Sequence, residues 1–269
     1  MAKPIAHWQG KWALLTGASA GIGKALAEEL AAGGTNLVLT ARRRERLEEL
    51  ARTFATTHKI RAEIFVADLA KAAAPPEILA FTRAKNIRID LLINNAGFGA
   101  HGEFATSNLS RQLEMIQVNC AAVVHLTHLF LADMIERRSG DILILASTAA
   151  FQAVPYITTY AATKAFDLLF AEGLAEELKP RSIRVCALCP GSTESEFHEV
   201  ANQANAPAMN TKRETAAKVA RTGLQALAAG KSYVISGARN YIGAQSQRFV
   251  PRGVVTSIAA KMFRPSCKT

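Results

Sequence analysis

Short apolar runs alternate along this chain with longer stretches of helical periodicity. Seven runs read as strands: Trp12–Leu15, Asn36–Thr40, Ala62–Val66, Leu91–Ile93, Asp141–Ala146, Ile183–Leu188 and Tyr233–Ser236. Helical patterns fall between them, at Ile22–Ala32, Arg44–Thr57, Pro76–Lys85, Leu109–Arg137, Thr159–Lys179 and Thr211–Ala229. Strands alternating with helices mean βαβ units. They predict an α/β fold, a doubly wound parallel sheet with helices on both faces. In such a sheet a ligand sits at the carboxyl ends of the strands, where the winding reverses, so chemistry is expected just after strands. No Pro/Gly/Ser-rich linker divides the chain, and a single domain over 1–269 is expected. Ser192–Asn210 is small, polar and aperiodic, a candidate lid. Arg252–Arg264, framed by Pro251 and Pro265, carries Val254, Val255, Ile258, Ala259, Met262 and Phe263 on one helical face. That face predicts docking on the domain or on a sister subunit.

Composition changes this picture little: 49% apolar and 20% charged residues are ordinary for a soluble globular protein. Met1 to Trp12 has no long apolar run, so no signal peptide and a cytoplasmic location are expected. The most apolar helical stretch, Val118 to Ile135, is interrupted by Asn119, His125, His128 and Asp133, which favours a buried or interface helix over a membrane span. Charge adds more. Residues 201–269 hold 11 basic residues and one acid, Glu214, so the net +10 lies wholly in that segment. A solvated face accounts for such a bias; an anionic substrate carrier, an acidic partner or a membrane surface would also suit it. No nucleic-acid partner is expected. Cys186 and Cys189 have redox-motif spacing but fall on one strand, where residues three apart point to opposite faces. With Cys120 and Cys267 they read as free thiols. His125 and His128 lack a third ligand, and no metal is expected.

The first strand runs into Thr16-Gly17-Ala18-Ser19-Ala20-Gly21-Ile22-Gly23 and then a helix. Glycines there allow a tight turn and let backbone N–H groups approach a pyrophosphate, which the positive helix end favours. Ser19, Ala20 and Ile22 lie in that cradle with Gly17, Gly21 and Gly23. The second strand ends at Ala41-Arg42-Arg43-Arg44. An NAD-preferring protein would place an acid near here for the ribose 2′-hydroxyl, whereas guanidinium forks suit a 2′-phosphate. NADP(H) is therefore the expected cofactor, with Arg42 the leading contact and Arg43 the second.

Tyr160 and Lys164 are four residues apart and share a helical face. A free tyrosine has a pKa near 10, and a neighbouring ammonium group would lower it toward the range useful for acid/base work. Ser147 stands at the end of the fifth strand, Asn119 in the preceding helix, and Asn94-Asn95-Ala96-Gly97 after the fourth strand. With the Gly17/Gly21/Gly23 turn, Asp68 after strand three and Pro190-Gly191 after strand six, these features resemble the short-chain dehydrogenase/reductase family over about residues 10 to 200.

The resemblance implies a Rossmann-like domain. Its cofactor half spans about 10–120 and its catalytic half about 121–191, followed by a substrate lid at about 192–210 and a basic extension at about 237–269. It implies that Tyr160 is the general acid/base, that Ser147 binds the substrate oxygen, that Lys164 binds the nicotinamide ribose and lowers the Tyr160 pKa, and that Asn119 holds a relay water. Asp68 and Leu69 would meet the adenine. Asn95, Ala96 and Gly97 would meet the ribose, and Pro190, Gly191 and Thr193 the nicotinamide side. Many NADPH-using relatives have a basic residue where this chain has Ala20. The implied reaction interconverts a ketone or aldehyde and an alcohol. A 3-oxoacyl thioester on an anionic carrier is the alternative substrate, and a nucleotide-sensing relative without turnover the alternative function. A homodimer or homotetramer is expected, through Leu109–Arg137 and Thr159–Lys179. Phe98, Phe151, Tyr156 and Phe197 are candidates for an apolar pocket, and His101 for its edge.

Overall fold

The computed structural model describes residues 4–196, 201 and 213–265. Strands β1 (Trp12–Thr16), β2 (Asn36–Ala41), β3 (Ala62–Val66), β4 (Leu91–Asn94), β5 (Gly140–Leu145), β6 (Ile183–Cys189) and β7 (Tyr233–Ile235) form one parallel sheet, ordered β3-β2-β1-β4-β5-β6-β7. The winding reverses between β1 and β4, which pair through Ala13↔Leu91 to Leu15↔Ile93. That reversal opens a crevice at the strands' carboxyl ends.

Helices α1 (Gly21–Ala32), α2 (Arg44–Thr57), α3 (Ala74–Ala84), α4 (Leu109–Ile116), α5 (Ala122–Glu136), α6 (Thr158–Leu178) and α7 (Ala216–Ala228) cover the sheet. Its two faces carry separate cores because strand side chains alternate. Leu14 packs on one side with Ile78, Leu126 and Leu168, from α3, α5 and α6; Ala13 and Leu15 pack on the other with Leu26, Leu47 and Leu224, from α1, α2 and α7. Cys186 and Cys189 divide the same way, as their spacing on a strand requires, and both are free thiols. Burial pushes the Cys186 thiol up to about 12, so it stays protonated and inert.

The predicted helix Leu109–Arg137 is interrupted. Gln117–Ala121 forms a π turn between α4 and α5, and Asn119 lies within it. By length and composition Leu109–Glu136 is apolar enough to cross a membrane, but one side of it builds the core, through Met115, Val118, Leu126, Phe130 and Met134. The predicted helix Thr211–Ala229 starts only at Ala216, where the Thr215 hydroxyl accepts from Lys218 N. After β7 come α8 (Ala238–Ser246), which hydrophobic periodicity did not reveal, and α9 (Arg252–Phe263).

Candidate active site

One cavity of about 860 Å³ runs along the crevice. The glycine turn forms one end. Gly17 and Gly21 have φ of +67° and +54°, which L side chains adopt at a cost. A Cβ on Gly17 would lie 2.9 Å from Ala96 Cα, and one on Gly23 would run into the Gly17 carbonyl. The first turn of α1, Gly21 to Gly23, lines the cavity, and Ala20 at its cap position has no side-chain acceptor. The N-terminal dipole is thus left for an anion. Thr16 and Asn95 brace this turn. Asn95 Nδ2 donates to the Thr16 carbonyl at 2.8 Å, and Thr16 Oγ1 accepts from the N–H groups of Asn95 and Ala96. Asn95 lines the cavity, and its side chain helps to hold the cradle.

Arg42 and Arg43 both line the cavity beyond β2. Arg43 Nη1 pairs with Glu196 at 2.7 Å, and its Nε and Nη2 donate to Ser19 Oγ. Arg46 shares the same carboxylate at 2.6 Å, so Glu196 bridges the start of the lid segment to α2. Arg42 is exposed and has no such partner among the described residues, which leaves its fork available. Asp68 lines the same wall and accepts from Ala70 N through Oδ1, with Leu69 beside it.

Ser147, Tyr160 and Lys164 come together where β5 and α6 meet. Ser147 follows β5, and its Oγ accepts from Ala149 N. The Tyr160 hydroxyl is hydrogen-bonded to the Ser147 side chain. Lys164 Nζ lies 6.0 Å from the Tyr160 ring centre and donates to the Leu145 carbonyl at 2.7 Å. All three residues line the cavity. The expected lowering of the Tyr160 pKa is only one of the forces present. Burial raises it, Lys164 and Ser147 lower it, and burial wins, so the phenol is held protonated. That state is the proton donor a reduction needs.

Asn119 is fully buried and does not line the cavity. Its Oδ1 accepts from Phe98 N at 3.1 Å, and its Nδ2 donates to the Phe98 carbonyl and to Thr163 Oγ1, both at 3.0 Å. This side chain staples the loop after β4 to α6. The residue that sequence reasoning missed is Asp167. It is fully buried, and its Oδ2 accepts from Lys164 Nζ at 2.9 Å. An acid three residues beyond Lys164, within Ala165-Phe166-Asp167-Leu168-Leu169, was the available signal.

Pro190, Gly191 and Thr193 line the cavity beyond β6. The Pro190 carbonyl accepts from Thr148 N, and Thr193 bridges to Glu214. That bridge ties the start of the candidate lid to a residue beyond its end; most of the lid lies outside the described residues, as does Phe197. The far end of the cavity is apolar, with Phe98, Val118, Val154 and Ile157 meeting Val255 and Ala259 of α9. Phe151 instead packs beside Tyr233, and Tyr156 lines a separate small pocket near the surface. His101 is outside the main cavity; its Nε2 is 2.6 Å from the Phe263 carbonyl at the end of α9.

Residues 11–206 match the family model for short chain dehydrogenases. The chain belongs to the short-chain dehydrogenase/reductase family. Members of that family similar to this chain include a very-long-chain 3-oxoacyl-CoA reductase of Danio rerio, 35% identical over 67% of this chain and 59% of that one. The inactive hydroxysteroid dehydrogenase-like protein 1 of Homo sapiens is also 35% identical, over 67% of this chain and 55% of that one. This short-chain dehydrogenase/reductase thus spans somewhat over half the length of those curated relatives. Among solved structures it is similar to a short-chain dehydrogenase from Sphingobium yanoikuyae in complex with NADPH. The TM-score there is 0.81 with 26% identity, covering 96% of this chain and all of that one.

Proposed function

We propose that this protein is an NADP(H)-dependent oxidoreductase that interconverts an apolar ketone or aldehyde and its alcohol, with Tyr160 as general acid/base. The observation that carries this reading is one continuous cavity. It joins a glycine cradle and an Arg42 without an ion-pair partner among the described residues at one end to an apolar pocket at the other, with Ser147 and Tyr160 between them. A cofactor fits the cradle, because the first turn of α1 lines the cavity and Ala20 at its cap position offers no side-chain acceptor, which leaves the first N–H groups for a phosphate. Gly21 to Gly23 would hold its pyrophosphate, and Arg42 and then Arg43 its 2′-phosphate. When bound, the nicotinamide supplies the hydride.

The chain's own residues supply the rest. Ser147 binds the carbonyl oxygen and polarises it. Tyr160 gives that oxygen a proton in reduction and takes it back in oxidation. Lys164, held between the Leu145 carbonyl and Asp167, keeps a positive charge beside the phenol and stabilises the phenolate left behind. Phe98, Val154 and Ile157 exclude water from the substrate side. The apolar pocket and the similarity to a 3-oxoacyl-CoA reductase support a 3-oxoacyl thioester as an alternative substrate. Location in the cytoplasm and assembly as a homodimer or homotetramer complete the proposal. Leu109, Leu113, Phe166 and Leu169, on the helices expected to pair, are all exposed.

The test is NADPH consumption against a carbonyl panel that includes a 3-oxoacyl thioester. Tyr160→Phe should bind NADPH as tightly as the parent and lose at least about a hundredfold in turnover. Retained turnover overturns the acid/base assignment. The similarity to an inactive human relative favours a second reading, a nucleotide-binding protein without turnover. Tight NADPH binding with silence across the panel would select it.

A further inference from the structure

We propose that the C-terminal face formed by α8 and α9 docks on an anionic lipid bilayer, and that the substrate cavity opens onto that face. The apolar residues of α9 form one continuous arc. Val255, Ala259 and Phe263 line the cavity, while Val254, Ile258 and Met262, four residues apart, form a stripe that is 44% to 54% exposed. Ile258 and Met262 belong to both sets, lining the cavity and facing solvent. So does Val250, just before the helix, and its neighbour Phe249 is 88% exposed. Single exposed apolar side chains are common on soluble proteins. A stripe that leads from solvent into a ligand cavity is a different feature, because it offers an apolar ligand a path with no aqueous step.

Charge selects the partner. Residues 215–269 contain no Asp or Glu. Arg239, Arg248, Arg252, Lys261 and Arg264 stand on or beside the two helices, and all five are exposed. A second copy docking here about a twofold axis would bring this basic set against itself. A surface that combines apolar depth with negative charge satisfies both features: the stripe enters the acyl boundary while the basic side chains meet headgroup phosphates. Docking itself does not depend on catalysis; substrate delivery through this face rests on the reductase reading.

The experiment is co-sedimentation of the full chain with phosphatidylcholine vesicles and with vesicles of equal parts phosphatidylcholine and phosphatidylglycerol, at low and high salt. Binding should favour the anionic vesicles by at least about tenfold and weaken with salt. Phe249 and Val254 do not line the cavity, so the double variant Phe249→Ser/Val254→Glu should keep NADPH binding and turnover of a water-soluble ketone. Its partition onto anionic vesicles should fall about tenfold. Equal binding to both vesicle types, or parent-like binding by the double variant, overturns the proposal. So does a smaller oligomer for the double variant by light scattering, which would assign the face to a second copy. Soluble-ketone turnover is read separately, so a failed reductase reading and failed docking give different results.

Discussion

Lys164 is a cation kept in the protein interior by a single carboxylate. Burial works against its charge, Asp167 works for it, and the attraction wins, so the ammonium is held protonated. Burial pushes Asp167 itself up to about 6 against the pull of Lys164. Below that pH the carboxyl takes a proton and no longer compensates the ammonium. kcat should therefore fall as pH drops through about 6. Asp167→Asn should lower the plateau about tenfold and abolish that acid limb. A merely structural role would lower the plateau and leave the limb in place, so a pH profile of the variant decides whether Asp167 positions Lys164. At the other end of the cavity, Arg43 is engaged by Ser19 and Glu196 while Arg42 is not. Arg42→Ala should weaken NADPH binding by about ten- to a hundredfold, the worth of a charge-assisted hydrogen bond, and leave NADH binding nearly unchanged. Fluorescence titration of both nucleotides measures it, and equal losses would show that Arg42 does not read the 2′-phosphate.

At the scale of elements, the close approach of α1 to the β1 turn places the cradle. Gly23 has no space for a side chain, since a Cβ there meets the Gly17 carbonyl and Asn95 Nδ2. In an open helix, glycine to alanine gains stability. Here the sign should reverse. Gly23→Ala should destabilise the fold by about 1–3 kcal/mol as α1 is pushed outward. It should also weaken cofactor binding more than tenfold by moving the first-turn N–H groups from the pyrophosphate. Urea unfolding and nucleotide titration of one preparation test both parts. The π turn at Gln117–Ala121 is the second such device, because it sets Asn119 where its amide joins the Phe98 backbone to Thr163. The loop after β4 and α6, which carries Tyr160 and Lys164, are thereby fixed to each other.

At the scale of the whole molecule, the described residues present two apolar surfaces of different character. The α4/α6 face carries Leu109, Leu113, Phe166 and Leu169 exposed, with Leu169 at 69%. Burying such leucines is worth about 1.5–3 kcal/mol each, enough that a few of them support a stable oligomer. Leu169→Glu should reduce a dimer or tetramer to a smaller species by light scattering, and a monomeric parent would refute that assembly. The α8/α9 face is ringed by basic residues and opens into the cavity. The two faces should respond independently to substitution, because they lie on different helices and share no residue.

The alternation of apolar runs with helical periods determined the seven strands, the parallel sheet and the described helices other than α8, with α4 and α5 read as one, because strand and helix periods are local properties of the chain. The motifs were legible for the same reason. A glycine turn, a tyrosine and lysine four apart and a serine after a strand announce their chemistry by type and spacing. Only the tertiary structure decided how the side chains are spent. It gave the Asn95 and Asn119 side chains bracing hydrogen bonds, with Asn95 still lining the cavity, and it left Phe151 and Tyr156 out of the main cavity. It closed the apolar pocket with α9, from a segment far along the chain. Above all it buried Asp167 against Lys164. Burial and long-range contact are not functions of local spacing, so the charge balance on which Tyr160 depends became visible only once α6 was packed against the sheet.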